Sequence, residues 1–254
     1  MIKFDNKTIY IIGGQGLVGK ELVRQFKTSK FKKIIILDQK TSKSSNKIRY
    51  EKIDITNVEE TKSKIENLVK NKKECPDIVI NCSYPRTENW KKNNFIEVDY
   101  NNYQNNIEAH LNSYVWTTKI IIEKMKKLKK HGNILLFSSI YGVKAQNNIL
   151  YEGTAVNQNF TYPIIKHGII GATKQFAAYY GKHNIRVNCI CPGGILNKKL
   201  KSKAKFNKIY NKLCPIGRLA KPEEIAKASI LFVSDFASYI NGAVLMVDGG
   251  WSII

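Results

Sequence analysis

Ile9-Tyr10-Ile11-Ile12-Gly13-Gly14-Gln15-Gly16-Leu17-Val18-Gly19-Lys20 is the most telling segment of the chain for its architecture. An apolar run ends abruptly in glycines, and a helix-compatible run follows from Leu17. Gly13, Gly16 and Gly19 stand at Gly-x-x-Gly-x-x-Gly spacing. Glycine lets the backbone turn tightly and approach a pyrophosphate, whose charge then sits at a helix N-terminus. The spacing alone is weak evidence; its place between a strand and a helix strengthens it. Gly13, Gln15, Gly16, Leu17 and Val18 are therefore the first candidate cofactor contacts. Asp38 ends the second apolar run, about twenty residues beyond the loop. A carboxylate there accepts hydrogen bonds from an adenosine ribose and repels a 2′-phosphate, so NAD(H) is expected over NADP(H). Lys40 softens that preference and leaves NADP(H) open.

Beyond this segment, apolar runs alternate with longer amphipathic stretches along the whole chain, the signature of βαβ units and a parallel sheet. Strands are expected at Thr8–Ile12, Lys33–Leu37, Arg49–Ile53, Asp77–Asn81, Asn133–Ser138, Arg186–Ile190 and Ala243–Val247. Helices fit Leu17–Lys27, Glu59–Lys70, Asn106–Lys129, Tyr162–Lys182 and Pro222–Ser234. No internal repeat, linker or composition break marks a second domain, so one α/β domain over residues 1–254 is expected. Two segments interrupt the alternation: the long connection Gly142 to Thr161, and Leu196 to Leu213, which reads as a lysine-rich helical excursion. Long excursions at the carboxyl ends of parallel strands are where open α/β sheets hold ligands.

The formal charge of +22 invites a nucleic-acid reading. Only 5 of the 42 basic residues are arginine, and lysine is scattered among abundant Asn and Ile. Phosphate-binding surfaces use arginine forks and a clustered stripe, so no nucleic-acid partner is expected. No apolar stretch reaches the roughly eighteen residues of a membrane span, and Met1-Ile2-Lys3-Phe4-Asp5 does not read as a signal peptide. The five cysteines show no Cys-x-x-Cys pair and no histidine at zinc spacing, so neither a metal site nor disulfides are expected. A reduced, cytosolic protein is the expectation.

Tyr162-Pro163-Ile164-Ile165-Lys166 carries the chemistry. Residues at i and i+4 share one helix face, so the Lys166 ammonium sits near the Tyr162 phenol. A free tyrosine titrates near ~10, and a neighbouring cation favours the phenolate and lowers that value. Pro163 is tolerated only near a helix's first turn, which makes Thr161 or Asn159 the cap and places Tyr162 at the helix entrance.

Taken in order, these landmarks resemble the short-chain dehydrogenase/reductases over nearly the whole chain. After the glycine loop come Asp54-Ile55, Asn81-Cys82-Ser83, Ser138-Ser139, the Tyr162/Lys166 pair, Asn188-Cys189-Ile190-Cys191-Pro192-Gly193-Gly194-Ile195, Gly217-Arg218-Leu219-Ala220-Lys221-Pro222-Glu223-Glu224 and Val247-Asp248-Gly249-Gly250-Trp251. The resemblance implies a single-domain Rossmann fold, a doubly wound seven-stranded parallel sheet flanked by helices. It implies that Asp54 and Ile55 contact the adenine, and that Asn81, Cys82 and Ser83 contact the cofactor's central ribose. Pro192, Gly193, Gly194 and Ile195 would line the nicotinamide. Tyr162 would be the catalytic acid/base and Lys166 would bind the nicotinamide ribose. Ser139, rather than Ser138, would hold the reacting oxygen. A homodimer or homotetramer built on the two long helices is implied as well.

Three departures mark this chain. Its glycine spacing is that of the family's larger, extended members. The run after the fourth strand is Asn81-Cys82-Ser83-Tyr84-Pro85-Arg86 instead of the usual Asn-Ala-Gly. The family's catalytic asparagine has no clean counterpart: His110 falls at its position, either as its catalytic replacement or as a packing residue, and Asn112 follows two residues later on a different helix face. Together with Tyr151-Glu152-Gly153-Thr154 in the lengthened loop, these features look like the subgroup called flagellin modification protein A, associated with legionaminic-type sugar biosynthesis in bacteria. Arg86 suits a phosphate or carboxylate on such a substrate through its planar fork. The leading expectation is hydride transfer between NAD(H) and a secondary alcohol or ketone of a polar or sugar-like small molecule. An NAD-retaining epimerase or dehydratase, and a non-catalytic NAD-binding protein, are the alternatives. Against the epimerase, the sequence ends soon after Trp251 without a substrate domain.

Overall fold

In the computed structural model, which describes residues 2–154, 156–197 and 203–254, the apolar runs become seven strands. They are β1 (Phe4–Ile12), β2 (Phe31–Asp38), β3 (Ile48–Lys52), β4 (Ile78–Asn81), β5 (Gly132–Phe137), β6 (Ile185–Pro192) and β7 (Val244–Val247). One sheet holds them in the order β3-β2-β1-β4-β5-β6-β7, all neighbours parallel. The helices are α1 (Leu17–Phe26), α2 (Val58–Leu68), α3 (Tyr100–Asn106), α4 (Ser113–Lys127), α5 (Asn148–Tyr151), α6 (Thr161–Tyr180), α7 (Ala204–Leu213) and α8 (Pro222–Val233).

Both sheet faces are covered, which is why the strands read as unbroken apolar runs. Along β1, Tyr10 and Ile12 join a core with residues of α2, α4 and α6, while Ile9 and Ile11 join a second core with α1 and α8. A third, smaller core lies at the carboxyl end and joins Ile140, Leu150, Phe206, Tyr210, Leu219 and Trp251. No helix among the described residues is long and apolar enough to cross a membrane.

The boundaries differ from the sequence expectations where polarity hides the element. β1 starts at Phe4 rather than Thr8, because Phe4 pairs with Phe31 across an irregularity at which Asn6 takes a φ of 62°. The helix expected from Asn106 begins at Tyr100, where the Asp99 carboxylate caps Asn102 N at 2.8 Å, in a stretch too polar to show apolar periodicity. It runs through a π-turn at Ile107–Asn112 into α4. The Gly142–Thr161 connection contains the short α5, and the excursion after Leu196 forms α7; residues 198–202 of that excursion lie outside the described residues.

Strand order reverses between β1 and β4, and ligand crevices in open α/β sheets form outside the carboxyl ends at such a point. Here the two chain segments nearly touch. Gly13 has a φ of +80°, and a Cβ on it would lie 2.5 Å from Ser83 Cα. Only glycine fits both demands. Between β4 and β5 the fully buried Tyr114 of α4 acts as a spacer, its hydroxyl donating to Asn81 O and accepting from Phe137 N at 2.8 Å. Tyr114→Phe strands both backbone groups, and each buried unpaired group costs about 1–3 kcal/mol. Urea unfolding is expected to register the loss for both groups, about 2–6 kcal/mol, with an unchanged denaturant slope.

Candidate active site

A cleft of about 1280 Å³ opens over the carboxyl ends of the strands, spanning the reversal point. Gly13, Gln15, Gly16, Leu17 and Val18 line one wall, at the start of α1. Asp38, at the end of β2, is fixed from two sides: Gln15 N donates to Oδ2 at 2.9 Å and Lys40 N to Oδ1 at 3.1 Å. Asp54 and Ile55 border the same end. Burial pushes the Asp54 carboxyl up, but hydrogen bonds from Thr56 and Gln39 outweigh it and hold the group below its usual range.

Cys82 and Ser83 line the middle of the cleft; Asn81 does not. The Asn81 side chain is fully buried and turned to the core, donating to Thr118 Oγ1 at 3.1 Å and accepting from Ser83 Oγ at 2.7 Å. The side chain ties β4 to α4 and shapes the turn that presents Ser83.

The far end of the cleft is assembled by β5, β6 and α6. Ser138 and Ser139 follow β5 with opposite orientations, as strand alternation requires. Ser138 Oγ donates to Lys166 O at 2.8 Å and so bolts α6 to the sheet. Ser139 lies beside the phenol of Tyr162, and its Oγ accepts from Tyr141 N at 3.3 Å. At the entrance of α6, Asn159 Oδ1 accepts from Tyr162 N and from Thr161 Oγ1, both at 2.8 Å. Asn159 is the capping side chain, Thr161 is already the first helical residue, and Pro163 falls within the first turn. Lys166 Nζ sits 5.5 Å from the centre of the Tyr162 ring and donates to Phe137 O at 3.2 Å. The two side chains share one helix face. Pro192, Gly193, Gly194 and Ile195 close the cleft beyond them.

The titration of this pair corrects the sequence expectation. Burial pushes the Tyr162 phenol up to about 12, and the adjacent Ser139 hydroxyl only partly opposes it. Lys166, 2% exposed, is itself pushed down to about 8 by burial, with the nearby Cys189 and Cys191 thiols acting in the opposite direction. Desolvation, not the lysine charge, dominates both groups among the protein's own atoms.

His110 and Asn112 part company as helix geometry demands. Asn112 is exposed, paired with Glu108. His110 is fully buried in the π-turn, its ring 4.7 Å from that of Tyr84, and neither ring nitrogen has a hydrogen-bond partner among the described residues. It lies behind Tyr84 and outside the lining of the cleft. Burial, then the Lys166 and Arg86 charges, hold the imidazole well below its ordinary value, so it is neutral. π-turns inside helices occur often at functional sites.

The sequence reading missed the aromatic wall around the phenol. The Tyr84 ring lies 5.9 Å from that of Tyr162, with the Arg86 guanidinium 5.2 Å and the Lys166 ammonium 5.5 Å from its centre. Trp90 stands 6.2 Å from Tyr162, and Tyr151 donates to the Tyr141 hydroxyl at 2.9 Å. Only the odd triplet Tyr84-Pro85-Arg86 hinted at this; the other rings arrive from three separate segments.

Geometry and family agree. A family model described as enoyl-(acyl carrier protein) reductase matches residues 36–252. The chain belongs to the short-chain dehydrogenase/reductase family. Within that family it is similar to the post-translational flagellin modification protein A of Campylobacter coli, 28% identical over 98% of this chain and 99% of that one. Among solved structures it resembles a short-chain dehydrogenase from Leptospira borgpetersenii serovar Hardjo-bovis with bound NAD+, at a TM-score of 0.85 and 30% identity, covering 98% of this chain and 94% of that one. It also resembles 4-hydroxyisoleucine dehydrogenase complexed with NADH, at a TM-score of 0.84 and 25% identity, covering 98% and 100%. This short-chain dehydrogenase/reductase thus shares its fold, over nearly its full length, with dehydrogenases that carry NAD+ or NADH.

Proposed function

We propose that this short-chain dehydrogenase/reductase transfers hydride between NAD(H) and a secondary alcohol or ketone of a sugar-like substrate, in bacterial surface-glycan or flagellin-modification biosynthesis. The observation that carries the reading is the convergence of Ser139, Tyr162 and Lys166 at one end of the cleft whose other end is the glycine turn and Asp38. The flagellin modification relative supports the sugar class. Gly13 to Val18 would hold the pyrophosphate, Asp38 the adenosine ribose, Asp54 and Ile55 the adenine, Cys82 and Ser83 the middle of the dinucleotide, and Pro192–Ile195 its nicotinamide. When bound, that nicotinamide supplies hydride exchange and, in its oxidised form, a positive charge.

The chain's own residues handle the proton and the oxygen. In the oxidising direction Tyr162, as phenolate, takes the substrate's hydroxyl proton; in the reducing direction the neutral phenol returns it. Ser139 donates to the reacting oxygen as charge develops there, a contribution of about 3 kcal/mol at a preorganised site. Lys166 anchors the nicotinamide ribose and adds positive charge beside the phenol. The neutral, unpartnered His110 stands in for the family's asparagine as a positioning residue behind Tyr84. Arg86, exposed at the rim with no hydrogen bond or ion pair among the described residues, receives an anionic group of the substrate. Assembly as a homodimer or homotetramer is part of the reading; Trp116 and Tyr179 project from α4 and α6, each about half exposed.

The test is a screen of phosphorylated, nucleotide-linked and free amino sugars for change in NADH absorbance. Net NADH production or consumption with a panel member supports the reading, whereas a substrate converted without net redox change would point to epimerisation. Cofactor choice is tested separately. Asp38→Asn is expected to lower the NADH-over-NADPH affinity ratio at least about tenfold in fluorescence titrations, because a carboxylate facing a 2′-phosphate costs several kcal/mol. An unchanged ratio removes Asp38 from that role.

A further inference from the structure

Gly194 is tightly enclosed. A Cβ on it would lie 2.5 Å from Leu219 Cδ2 and 2.9 Å from the Tyr210 ring. The turn around it is tied mainly to main chain: Gly193 N donates to Val247 O at 3.0 Å, Ala220 N to Gly194 O at 2.9 Å, and Leu196 N to Ala220 O at 2.8 Å. The Gly194 amide is different. It donates to a side chain, the hydroxyl of Tyr210, at 2.7 Å.

Tyr210 is in α7, the helix of the lysine-rich excursion, and is itself held rigidly. It is buried, and its ring stacks on Trp251 with centres 4.6 Å apart and planes at 13°. Trp251 belongs to the short turn after β7, so the phenol is fixed from the sheet side as well as from its own helix. Phe206, one turn earlier on α7, packs against Tyr151 from the long connection that also lines the cleft. One hydroxyl therefore joins the helix that covers the substrate end of the cleft to the turn that closes it. Burial pushes the Tyr210 phenol up, so it stays neutral and the bond persists across the working pH range.

We infer that Tyr210 is a positioning residue: its hydroxyl fixes the Gly194 amide, and with it the Pro192–Ile195 turn, so that α7 and the nicotinamide end of the cleft move as one unit. This rests on the proposed placement of the nicotinamide against that turn. Two ligands contacting opposite sides of such a unit are linked, because each orders what the other needs.

The test combines Tyr210→Phe with amide hydrogen exchange and NADH titration. The variant keeps the ring and its stack on Trp251 but removes the acceptor. Gly194 exchange is expected to accelerate about tenfold or more, and NADH affinity to fall about tenfold, the equivalent of about 1.4 kcal/mol. The thermal midpoint of the protein measured without added NADH should fall by only a few degrees, the size expected for one amide left unpaired at a half-buried turn. Unchanged Gly194 exchange, or NADH affinity within twofold of the wild type, overturns the inference. A second measurement stands apart from the variant's folding: in the wild-type protein, saturating NADH should slow exchange across residues 204–213 at least about threefold, and no slowing refutes the coupling. Failure of the wild-type protein to bind NADH at all would instead strike the cofactor reading, while the Gly194 exchange comparison still decides the role of the hydroxyl.

Discussion

Tyr162→Phe is expected to lower kcat by about 10²–10⁴-fold, the usual contribution of a positioned general acid–base. NADH affinity should stay within about threefold. The ring packs against Tyr84, Trp90 and Tyr141, and phenylalanine preserves those contacts while deleting the one hydroxyl beside Ser139. The pH dependence comes from the same burial. A phenol at about 12 is protonated at neutral pH, so carbonyl reduction has its proton donor in place throughout that range. Alcohol oxidation needs the phenolate, so its rate should climb about tenfold per pH unit on the acid side until the pKa of the loaded complex is reached. Steady-state kinetics in both directions between pH 6 and about 10 check this. A flat oxidative profile, or full turnover by the phenylalanine variant, contradicts the assignment.

Lys166→Met is expected to abolish measurable turnover and at the same time to stabilise the fold. Lys166 carries its charge in a nearly closed site with one carbonyl acceptor, Phe137 O. Its folded value of about 8, against an ordinary 10.5, means that the folded state disfavours the charged form, by roughly 3 kcal/mol. Below pH 8 both folded and unfolded chains hold the proton, and the penalty is fully present. Between about 8 and 10.5 the folded chain releases it first, so stability rises with pH across that window. Above 10.5 the penalty is gone. Methionine removes the charge and roughly fills the volume, while the Phe137 carbonyl loses its donor at a cost of about 1 kcal/mol. The net gain at pH 7 should be about 1–3 kcal/mol in denaturant unfolding, and the variant should lose the alkaline rise. A destabilised variant would show that the ammonium is better solvated than its burial indicates.

The strands were legible because a parallel sheet covered on both faces writes itself as continuous apolar runs, and the helix after the glycine turn because its glycines and its amphipathic face adjoin. The start at Tyr100 was not, since Tyr100-Asn101-Asn102 is held by an aspartate cap rather than by apolar period. Ser139, Tyr162 and Lys166 were legible in their order along the chain. The direction of the Asn81 side chain was not legible, because its partners, Thr118 and Tyr114, come from a helix more than thirty residues on, and no local signal says which way its amide turns. The same holds for Tyr84, Trp90 and Tyr210, whose places depend on packing between distant segments. The titration of Tyr162 was misjudged for a related reason: a neighbouring charge is visible in sequence spacing, but the depth of burial that outweighs it is not.

The proton-exchanging role of Tyr162 beside a bound nicotinamide can be observed without knowing the substrate. Carbon-13 NMR of protein labelled at the tyrosine Cζ, with the Tyr162 signal assigned by its loss in Tyr162→Phe, follows that phenol alone through a pH titration. Without added cofactor the signal should begin to titrate only at strongly alkaline pH, in keeping with a value of about 12. Saturation with NAD+ should bring its midpoint down by at least one pH unit, as a positive charge placed beside a phenol requires. A midpoint that does not move on saturation with NAD+ contradicts the proposed chemistry.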